Sequence, residues 1–308
     1  MELNFLDFCA ESIEPGWLVP GFLPERALSL MIGDGGSGKT LLSLSLALSL
    51  STGRSWLHNG PARPERAHTV WFIDEDGSPP LLRSRIKKLA AGMSIDLVAL
   101  RESGRFRTCS SNGYKIDGSN FLGRLITDSK CDRPPDLLIF DALIGMISSQ
   151  TDENSASQMA AIMRDGFRQV VTAVGCAVLI LHHVGKPAKE TSGRNALQKS
   201  RGSSEIINST DQVLHYYGSK GYARKLSIAR SRLMPEPNWP DTVKVGLEST
   251  GDVWRLLELE PLKVDKAVEA MINLHPNGHL TIDDWCARLS KSGHQFTRST
   301  VYRALSHL

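Results

Sequence analysis

The sequence predicts an α/β fold in which a mostly parallel, twisted sheet lies between helices. Short continuous apolar runs alternate along the chain with longer segments whose apolar residues recur about every 3.6 positions. Uninterrupted apolar runs are typical of strands that are buried on both faces, as they are in a parallel sheet covered by helices. Ligands of such sheets bind beyond the carboxyl ends of the strands, so we look for functional residues there.

Strands and helices are predicted in alternation. The predicted strands are 27–32, 69–73, 136–140 and 176–181, with three further strands at 212–216, 225–230 and 243–246. The predicted helices are 39–52, 79–91, about 119–129 and 155–174. The last helix follows the helical period with Met159, Ile162, Met163, Val170 and Val174. Small and polar residues predict loops at 102–120 and 185–204.

A small all-α unit is predicted after residue 260. The pattern becomes purely helical beyond Leu259-Glu260-Pro261-Leu262, so we divide the chain into domains 1–260 and 261–308. Three short helices are predicted in the second domain, over 264–274, after the capping residue Thr281 and over 298–307. Asp283 and Asp284 lie in the first turn of the second helix, where carboxylates are favourable. This spacing resembles a helix-turn-helix or winged-helix unit.

The composition is that of a globular protein with a hydrophobic core. Hydrophobic residues make up 41% and charged residues 22% of the 308 residues, and the net charge is +3. The sequence contains no apolar run of about 18 residues, which argues against a membrane span or a membrane partner. The first residues lack the basic stretch of a secretory signal. Five scattered cysteines form no C-x-x-C pair, so we expect reduced thiols in a cytoplasmic protein, without zinc or disulfides.

Residues 33–40 carry the most specific motif of the sequence. They match G-x-x-x-x-G-K-[ST], the phosphate-binding P-loop, between a predicted strand and a Leu-rich helix. Lys39 is expected to reach the β- and γ-phosphates in a catalytic role, and the Thr40 hydroxyl to bind Mg²⁺. The helix N-terminus adds a favourable dipole. The predicted ATP contacts are Gly33, Gly35, Gly36, Ser37, Gly38, Lys39, Thr40 and Leu41.

Asp141 is the candidate for a second metal-binding residue. It ends the strand 136–140 and matches the Walker B position, from which a carboxylate would hold Mg²⁺ opposite Thr40. An aspartate at a strand end is common, but this one follows the P-loop by about 100 residues in an alternating α/β pattern. The next residue is Ala142, so the base that activates the attacking water has to come from elsewhere.

An acidic group follows the strand 69–73. Asp74-Glu75-Asp76 ends this strand, which is the next one along the chain after the P-loop helix. We expect Glu75 to be the base that polarises the attacking water, and Asp76 is the second candidate. The alternative is an acidic turn with no catalytic role.

Two histidines, His182 and His183, end the strand 176–181. A polar group at this position could contact the γ-phosphate and report its loss to the next loop. Side chains alternate along a strand, so only one of the two faces the nucleotide, and we expect His183. The alternatives are metal binding and plain strand-end polarity. No cysteine or carboxylate stands at ligand spacing, which disfavours a metal.

The stretch from Gly185 to Arg232 is strongly basic. It has ten Lys and Arg residues against three Asp and Glu residues, a charge of +7 compared with +3 for the whole chain. Its first loop would contact the phosphates of single-stranded DNA without reading sequence, because it has no aromatic residue for base stacking. A solvated basic face is the alternative. The predicted DNA contacts are Lys186, Lys189, Arg194, Lys199 and Arg201.

Arg230 and Arg232 lie at the end of the predicted strand 225–230. An arginine at such a strand end can reach the γ-phosphate bound by a neighbouring subunit and stabilise the charge of the transition state. Arg201 is a third candidate for this role. The alternative is a pair of exposed basic residues.

Together these segments resemble the RecA-like P-loop ATPases, and in particular the RepA-type hexameric replicative helicases of plasmids and related mobile-element ATPases. The resemblance covers roughly residues 15–232. Its matching segments are 17–24, the P-loop, 75–76, 138–141, 175–186 and 200–204. Recombinases and regulatory ATPases share this core. The motifs are therefore specific for the RecA-like superfamily and less specific for a helicase within it.

The resemblance implies a DNA motor that uses ATP and Mg²⁺. It implies a homohexameric ring that acts as a replicative helicase of a plasmid, phage or other mobile element and moves on single-stranded DNA. It also implies Glu75 as catalytic base, His183 as sensor and Arg230 or Arg232 acting in trans.

The residues after 260 lie outside the resemblance, and they leave a second hypothesis open. The chain would then be a regulatory RecA-like ATPase that binds DNA or protein through 261–308 without translocation. The last predicted helix could bind duplex DNA through Arg298 and Arg303, or the unit could dock a partner such as an initiator protein.

Overall fold

The chain divides into two compact units, Met1–Glu258 and Leu259–Leu308. In the first unit the computed structural model describes residues 16–57, 64–118, 120–183, 203–218, 223–235, 238–240 and 242–258. In the second unit it describes residues 259, 270–271, 274, 281–293, 295–296 and 301.

The described residues of the first unit form a main sheet of nine strands and a short two-stranded sheet. The two-stranded sheet consists of β1 (Trp17–Val19) and β2 (Leu23–Pro24). The main sheet consists of β3 (Leu28–Gly33), β4 (Val70–Asp74), β5 (Phe106–Ser110), β6 (Leu137–Asp141), β7 (Ala177–His183), β8 (Gln212–Tyr217), β9 (Arg224–Ser231), β10 (Val243–Thr250) and β11 (Val253–Glu258). Their order across the sheet is β11-β10-β9-β8-β3-β7-β6-β4-β5.

Helices connect most of the parallel strands. They are α1 (Lys39–Thr52), α2 (Pro79–Gly92), α3 (Leu97–Ser103), α4 (Phe121–Ser129), α5 (Leu143–Met146), α6 (Ala156–Ala161), α7 (Arg168–Val174) and α8 (Ser204–Asn208). A π-helical segment, Ile162–Phe167, joins α6 to α7, so the predicted helix 155–174 is continuous in the structure.

The strands from β5 across to β8 run parallel, whereas β9, β10 and β11 follow at the other end of the sheet, each antiparallel to its neighbour. The parallel strands β3, β4 and β6 are buried along their whole length, as their apolar runs indicate. Two separate hydrophobic clusters cover the two faces of the sheet: one contains the apolar residues of α1, the other those of α7 and the π-helical segment. The predicted α/β fold class, with a mostly parallel sheet between helices, is therefore confirmed.

All seven predicted strands are present, with ends shifted by at most four residues. Two strands of the main sheet were not predicted. β5 falls in the segment 102–120, which the sequence assigned to a loop; as an edge strand it is only half-buried and has no apolar run. β11 pairs with β10 and packs against α2, a contact between segments far apart in the sequence.

The second unit has a small core of its own. Its described helix, α9 (Ile282–Lys291), begins at the predicted cap: Thr281 Oγ1 accepts a hydrogen bond from Asp284 N, and Asp284 accepts one from Thr281 N. Trp285 and Leu289 of α9 are buried with Ala270, Met271 and Val301. The other two predicted helices, 264–274 and 298–307, lie mostly outside the described residues, so the helix-turn-helix assignment remains a prediction. No helix among the described residues is long and apolar enough to cross a membrane.

Candidate nucleotide-binding site

The loop between β3 and α1 has the backbone of a phosphate-binding loop. Gly36 and Gly38 have φ angles of 72° and 89°, which residues with a side chain rarely adopt. A Cβ on Gly33 would lie 2.2 Å from the carbonyl oxygen of Tyr216 on β8, so this position has no room for a side chain. Because α1 begins at Lys39, directly after Gly38, its free N–H groups and positive dipole end face the loop.

The Lys39 ammonium group is held inside this loop. Its Nζ donates hydrogen bonds to the carbonyl oxygens of Gly33, at 2.7 Å, and Asp34, at 3.0 Å. It also lies 3.1 Å from Nδ1 of His183. Burial lowers the pKa of Lys39 to about 8, although nearby carboxylates act in the opposite direction. A buried ammonium group with a lowered pKa is stabilised by an anion, so both position and charge suit a phosphate group.

Thr40 and Asp141, the two predicted metal-binding residues, lie together at the start of α1. Asp141 is buried and accepts a hydrogen bond from the Thr40 hydroxyl. Burial raises the pKa of Asp141 to about 6; the hydrogen bond from Thr40 opposes this effect, and the charges of Asp74 and Asp76 add to it. The ionised form of this carboxylate would therefore gain from a neighbouring cation.

The donor set suits a magnesium ion. A hydroxyl and a carboxylate provide the hard oxygen ligands that Mg²⁺ prefers, and in phosphate sites one or two such protein ligands are enough. In the described part of the chain, no group of three or more His, Cys, Asp and Glu residues could hold a metal ion. Thr40 and Asp141 are thus the residues that would hold Mg²⁺ beside a bound triphosphate.

The acidic turn after β4 differs from expectation in one respect. Glu75, the expected base, accepts hydrogen bonds from the backbone N–H groups of Asn112 and Gly113, each at 3.0 Å, and does not line the cavity between the P-loop and α2. Asp76 does line that cavity, with Oδ2 3.6 Å from Nε2 of His183. Its contact with His183 lowers the pKa of Asp76. The sequence alone could not reveal which of the two carboxylates lines the cavity, because the position of Glu75 depends on where the loop after β5 lies.

His183 links the P-loop to this acidic turn. One ring nitrogen lies near Lys39 and the other near Asp76, so the three side chains form a continuous row. Side chains alternate along β7, and the preceding residue, His182, is buried on the opposite face of the sheet. The structure thus places His183, and not His182, against the P-loop lysine.

These side chains surround a cavity of about 370 Å³. Its polar part consists of Gly36, Gly38, Lys39, Thr40, Asp74, Asp76, Gly77, Asp141 and His183. Its apolar part consists of Leu41, Leu81, Leu247 and Trp254, and Arg85 adds a cation to the lining. Leu81 and Leu247 are 45% and 49% exposed, so a flat nucleobase beside them would remove apolar surface from water. Of the predicted ATP contacts, Gly33, Gly35 and Ser37 shape the loop without lining this cavity.

The antiparallel end of the sheet contributes residues that sequence reasoning missed. Leu247 and Trp254 come from the β10–β11 hairpin, which is anchored on α2 by a hydrogen bond of 2.8 Å from Arg255 Nε to the Gly92 carbonyl oxygen. No local signal marks these residues, because the contact joins segments about 160 residues apart.

Arg224 is a second residue that sequence reasoning missed. It begins β9 and lies 6.0 Å from the ring centre of Tyr216, with Nη2 3.5 Å from the carbonyl oxygen of Gly36. A Cβ on Gly38 would lie 2.6 Å from its Nη1. In the sequence Arg224 is one of ten basic residues between Gly185 and Arg232. Only the direction of β9 reveals that this residue reaches the P-loop.

The same direction corrects the placement of Arg230 and Arg232. The sequence suggested that they follow a strand whose carboxyl end lies beside the nucleotide. β9 runs antiparallel to β8, so its carboxyl end lies at the edge of the sheet away from the P-loop of the same chain. There Arg230 and Arg232 donate hydrogen bonds to the carbonyl oxygens of Ile207 and Asn208 at the end of α8. Any contact of these arginines with a nucleotide would be with that of a neighbouring subunit.

The predicted DNA contacts cannot be located in the structure. Lys186, Lys189, Arg194, Lys199 and Arg201 all lie outside the described residues. The described chain stops at His183 before this segment and resumes at Ser203 after it.

A P-loop at the carboxyl end of a buried strand, with Lys39, Thr40 and Asp141 converging beyond it, defines a P-loop nucleoside triphosphatase. The chain belongs to the AAA domain family AAA_25, whose profile matches residues 2–189. It is therefore an ATPase.

The comparison with solved structures concerns the fold. A solved ATPase domain superposes on this chain with a TM-score of 0.58 at 15% sequence identity, over 83% of this chain and 96% of that one. This likeness confirms the predicted RecA-like architecture. It does not test the helix-turn-helix prediction for the second unit.

Proposed function

We propose that the protein is an ATP-driven DNA motor: a ring-shaped, hexameric replicative helicase of a plasmid, phage or other mobile element, moving on single-stranded DNA. The observation that carries the proposal is the row Lys39–His183–Asp76. His183 is the last residue of β7, and the predicted DNA contacts begin three residues later in the sequence. A change at the γ-phosphate beside Lys39 therefore has a short covalent route to the basic segment.

In the proposed reaction the residues of the P-loop hold the triphosphate. The free N–H groups at the start of α1 bind phosphate oxygens, and the Lys39 ammonium exchanges its two carbonyl contacts for the β- and γ-phosphates. Thr40 and Asp141 would hold Mg²⁺, which when bound neutralises charge on the phosphates. The less polar side chains around Trp254 contact the nucleobase.

We assign the base to Glu75 rather than to Asp76, although Asp76 lies in the cavity. A general base is most effective when its pKa is near the working pH. His183 lowers the pKa of Asp76, which makes that carboxylate a weaker base. Glu75 is held by two exposed hydrogen bonds to Asn112 and Gly113, and it would leave them to reach the attacking water. Asp76 then orients His183.

The ring is proposed from the two ends of β9. Arg224 lies at the P-loop of its own chain, whereas Arg230 and Arg232 lie at the far edge of the sheet. A site completed by Arg230 or Arg232 requires a second subunit, so hydrolysis should depend on assembly.

Three measurements test the proposal. We expect single-stranded DNA to stimulate ATP hydrolysis, a forked duplex to be unwound in the presence of ATP and Mg²⁺, and the mass in the presence of an ATP analogue to be that of a hexamer. Hydrolysis by a monomer, with neither stimulation nor unwinding, would show that the protein is not this motor.

A second candidate function is a regulatory ATPase without translocation, and the separate core of residues 259–308 favours it. That unit would bind duplex DNA or a protein. The double variant Arg298→Ala, Arg303→Ala in the full chain should abolish duplex binding under this hypothesis. Under the motor hypothesis it should leave stimulation by single-stranded DNA unchanged.

A further inference from the structure

The face of β8 and β9 that points away from α1 carries aromatic and basic side chains at the P-loop edge. Leu214 and Tyr216 on β8 point into the hydrophobic cluster around α1. Because side chains alternate, His215 and Tyr217 lie on the other face, and both are half-exposed. The carboxyl end of β8 thus presents two rings on the face opposite the nucleotide helix.

These two rings form a stacked pair. The ring centres of His215 and Tyr217 are 4.4 Å apart, and the ring planes are inclined by only 19°. Residues two apart on a strand are about 6.6 Å apart along the backbone, so the two side chains lean towards each other to stack. A flat, half-exposed aromatic surface of this kind suits a nucleobase, because every base offers a π-face.

Basic side chains continue the row across the sheet. Lys225 on β9 lies directly opposite Tyr217, and Lys244 on β10 lies directly opposite Lys225. Lys225 is half-exposed, whereas the Nζ atom of Lys244 is buried. Burial, and then the charge of Lys225, lower the pKa of Lys244. Two positive charges on neighbouring strands raise the local positive potential, so an anion is favoured at the exposed one, Lys225.

The position of the row fits the rest of the molecule. β8 pairs with β3, and β3 pairs with β7, from whose last residue the predicted DNA-binding segment continues. That segment has many basic residues but no aromatic one, so it offers no stacking surface for a base. His215 and Tyr217 provide such a stacking surface on β8, two strands away from β7.

We infer that His215, Tyr217 and Lys225, with the charge of Lys244 behind them, form a binding site for single-stranded DNA, which we name the β8–β10 platform. A base stacks on the His215–Tyr217 pair, and an adjoining phosphate contacts Lys225, while the buried charge of Lys244 adds to the positive potential there. Binding is independent of sequence, because stacking and phosphate contacts do not distinguish the bases. The inference rests on the proposed function, for which it names the DNA-binding surface.

The experiment measures binding of the full chain to fluorescein-labelled oligo-dT, with an ATP analogue and Mg²⁺, by fluorescence anisotropy at several salt concentrations. We expect Tyr217→Ala to raise Kd roughly 10-fold and Tyr217→Phe, which keeps the ring, to bind like the wild type. Lys225→Gln should reduce the slope of log K against log salt by about 1. Lys87→Gln, on the exposed surface of α2, is the matched charge control and should leave the slope unchanged.

The outcomes separate this inference from the proposed function. If the wild type binds DNA and Tyr217→Ala and Lys225→Gln bind equally well, the platform is wrong and the motor stands. If the wild type does not bind DNA, the motor and the platform both fail. If Tyr217→Ala loses hexamer mass instead, the face is a subunit contact and the inference is overturned. Tyr217→Phe shows that the ring and not the hydroxyl is needed, and circular dichroism of Tyr217→Ala distinguishes a lost ring from a misfolded strand.

Discussion

Two aspartates lie at the two ends of strand β6, and their pKa values are shifted in opposite directions. Asp136, before its first residue, accepts hydrogen bonds from Thr69 N at 2.7 Å and from Arg66 Nη2 at 3.0 Å, and lies 3.7 Å from His68. Burial alone would raise the pKa of Asp136, but these partners outweigh burial and hold the pKa well below its usual value. At the other end of the strand burial prevails and raises the pKa of Asp141 to about 6.

The difference distinguishes a structural edge of the sheet from a functional one. At the Asp136 edge the fold itself stabilises the ionised form of the carboxylate. At the Asp141 edge the fold disfavours the charged forms of both Asp141 and Lys39, whose pKa values are shifted in opposite directions. Groups whose charged forms are disfavoured by the protein alone are stabilised by ligands of opposite charge, and this is why such groups cluster at functional sites.

The largest expected effect compares one cation from each edge. Lys39→Ala should lower kcat for ATP hydrolysis at least about 100-fold, because the developing charge on the phosphates loses its buried cation. Arg66→Ala removes an exposed cation at the structural edge and should leave kcat close to wild type. Steady-state phosphate release measures both, with circular dichroism to confirm folding. Similar losses in the two variants would remove the distinction between the edges.

The second prediction concerns stability: replacing the aspartate at either end of β6 should change the free energy of unfolding in opposite directions. The raised pKa means that folded Asp141 binds its proton more tightly than the unfolded chain does, so ionisation costs stability at high pH. Asp141→Asn should therefore raise the free energy of unfolding by about 3 kcal/mol at pH 8, and this gain should shrink as the pH falls from about 6 towards the unfolded value of about 4.

Asp136→Asn provides the matched control. Its lowered pKa contributes stability above the unfolded value of about 4, and this contribution is lost as pH falls further. The substitution should lower the free energy of unfolding at neutral pH by about 1–3 kcal/mol, because hydrogen bonds to a charged group are lost. Urea unfolding at pH 4, 6 and 8 without nucleotide measures both variants. Equal signs at pH 8 would contradict the comparison.

The third prediction separates two neighbours within the functional edge. Glu75→Gln should lower kcat about 100-fold, since the attacking water loses its base. Asp76→Asn should lower basal kcat less than about 10-fold and remove the stimulation by single-stranded DNA, because His183 loses its partner. Hydrolysis rates measured with and without oligo-dT show which of the two carboxylates is the base. If Asp76→Asn lowers basal kcat more than Glu75→Gln does, the base is Asp76.

The smallest effect tests whether the functional edge includes the antiparallel hairpin. Trp254→Ala should raise KM for ATP about 5- to 10-fold with little change in kcat, because a stacking contact with the base is lost. Val253→Ala, at the neighbouring position outside the cavity, is the control and should leave KM unchanged. Unchanged KM in both variants would place the base elsewhere.

Local patterns in the sequence by themselves determined the core of the site. The P-loop residues follow a contiguous motif, and the buried parallel strands are marked by uninterrupted apolar runs. Asp141 and His183 lie at the ends of such runs, so their common edge follows from parallel strand direction alone. Propensity and capping likewise identified Thr281 as the start of α9.

Only the tertiary structure decided which distant segments meet at this edge. The direction of β9 placed Arg224 at the P-loop and Arg230 at the far edge, and no local signal distinguishes a strand that turns back from one that crosses over. The half-buried edge strand β5 has no apolar run, yet the loop after it decides where Glu75 points. The β10–β11 hairpin reaches the cavity through pairing and packing between segments far apart in the chain. Such contacts depend on the whole fold, because their free energy is gained only when both segments are already in place.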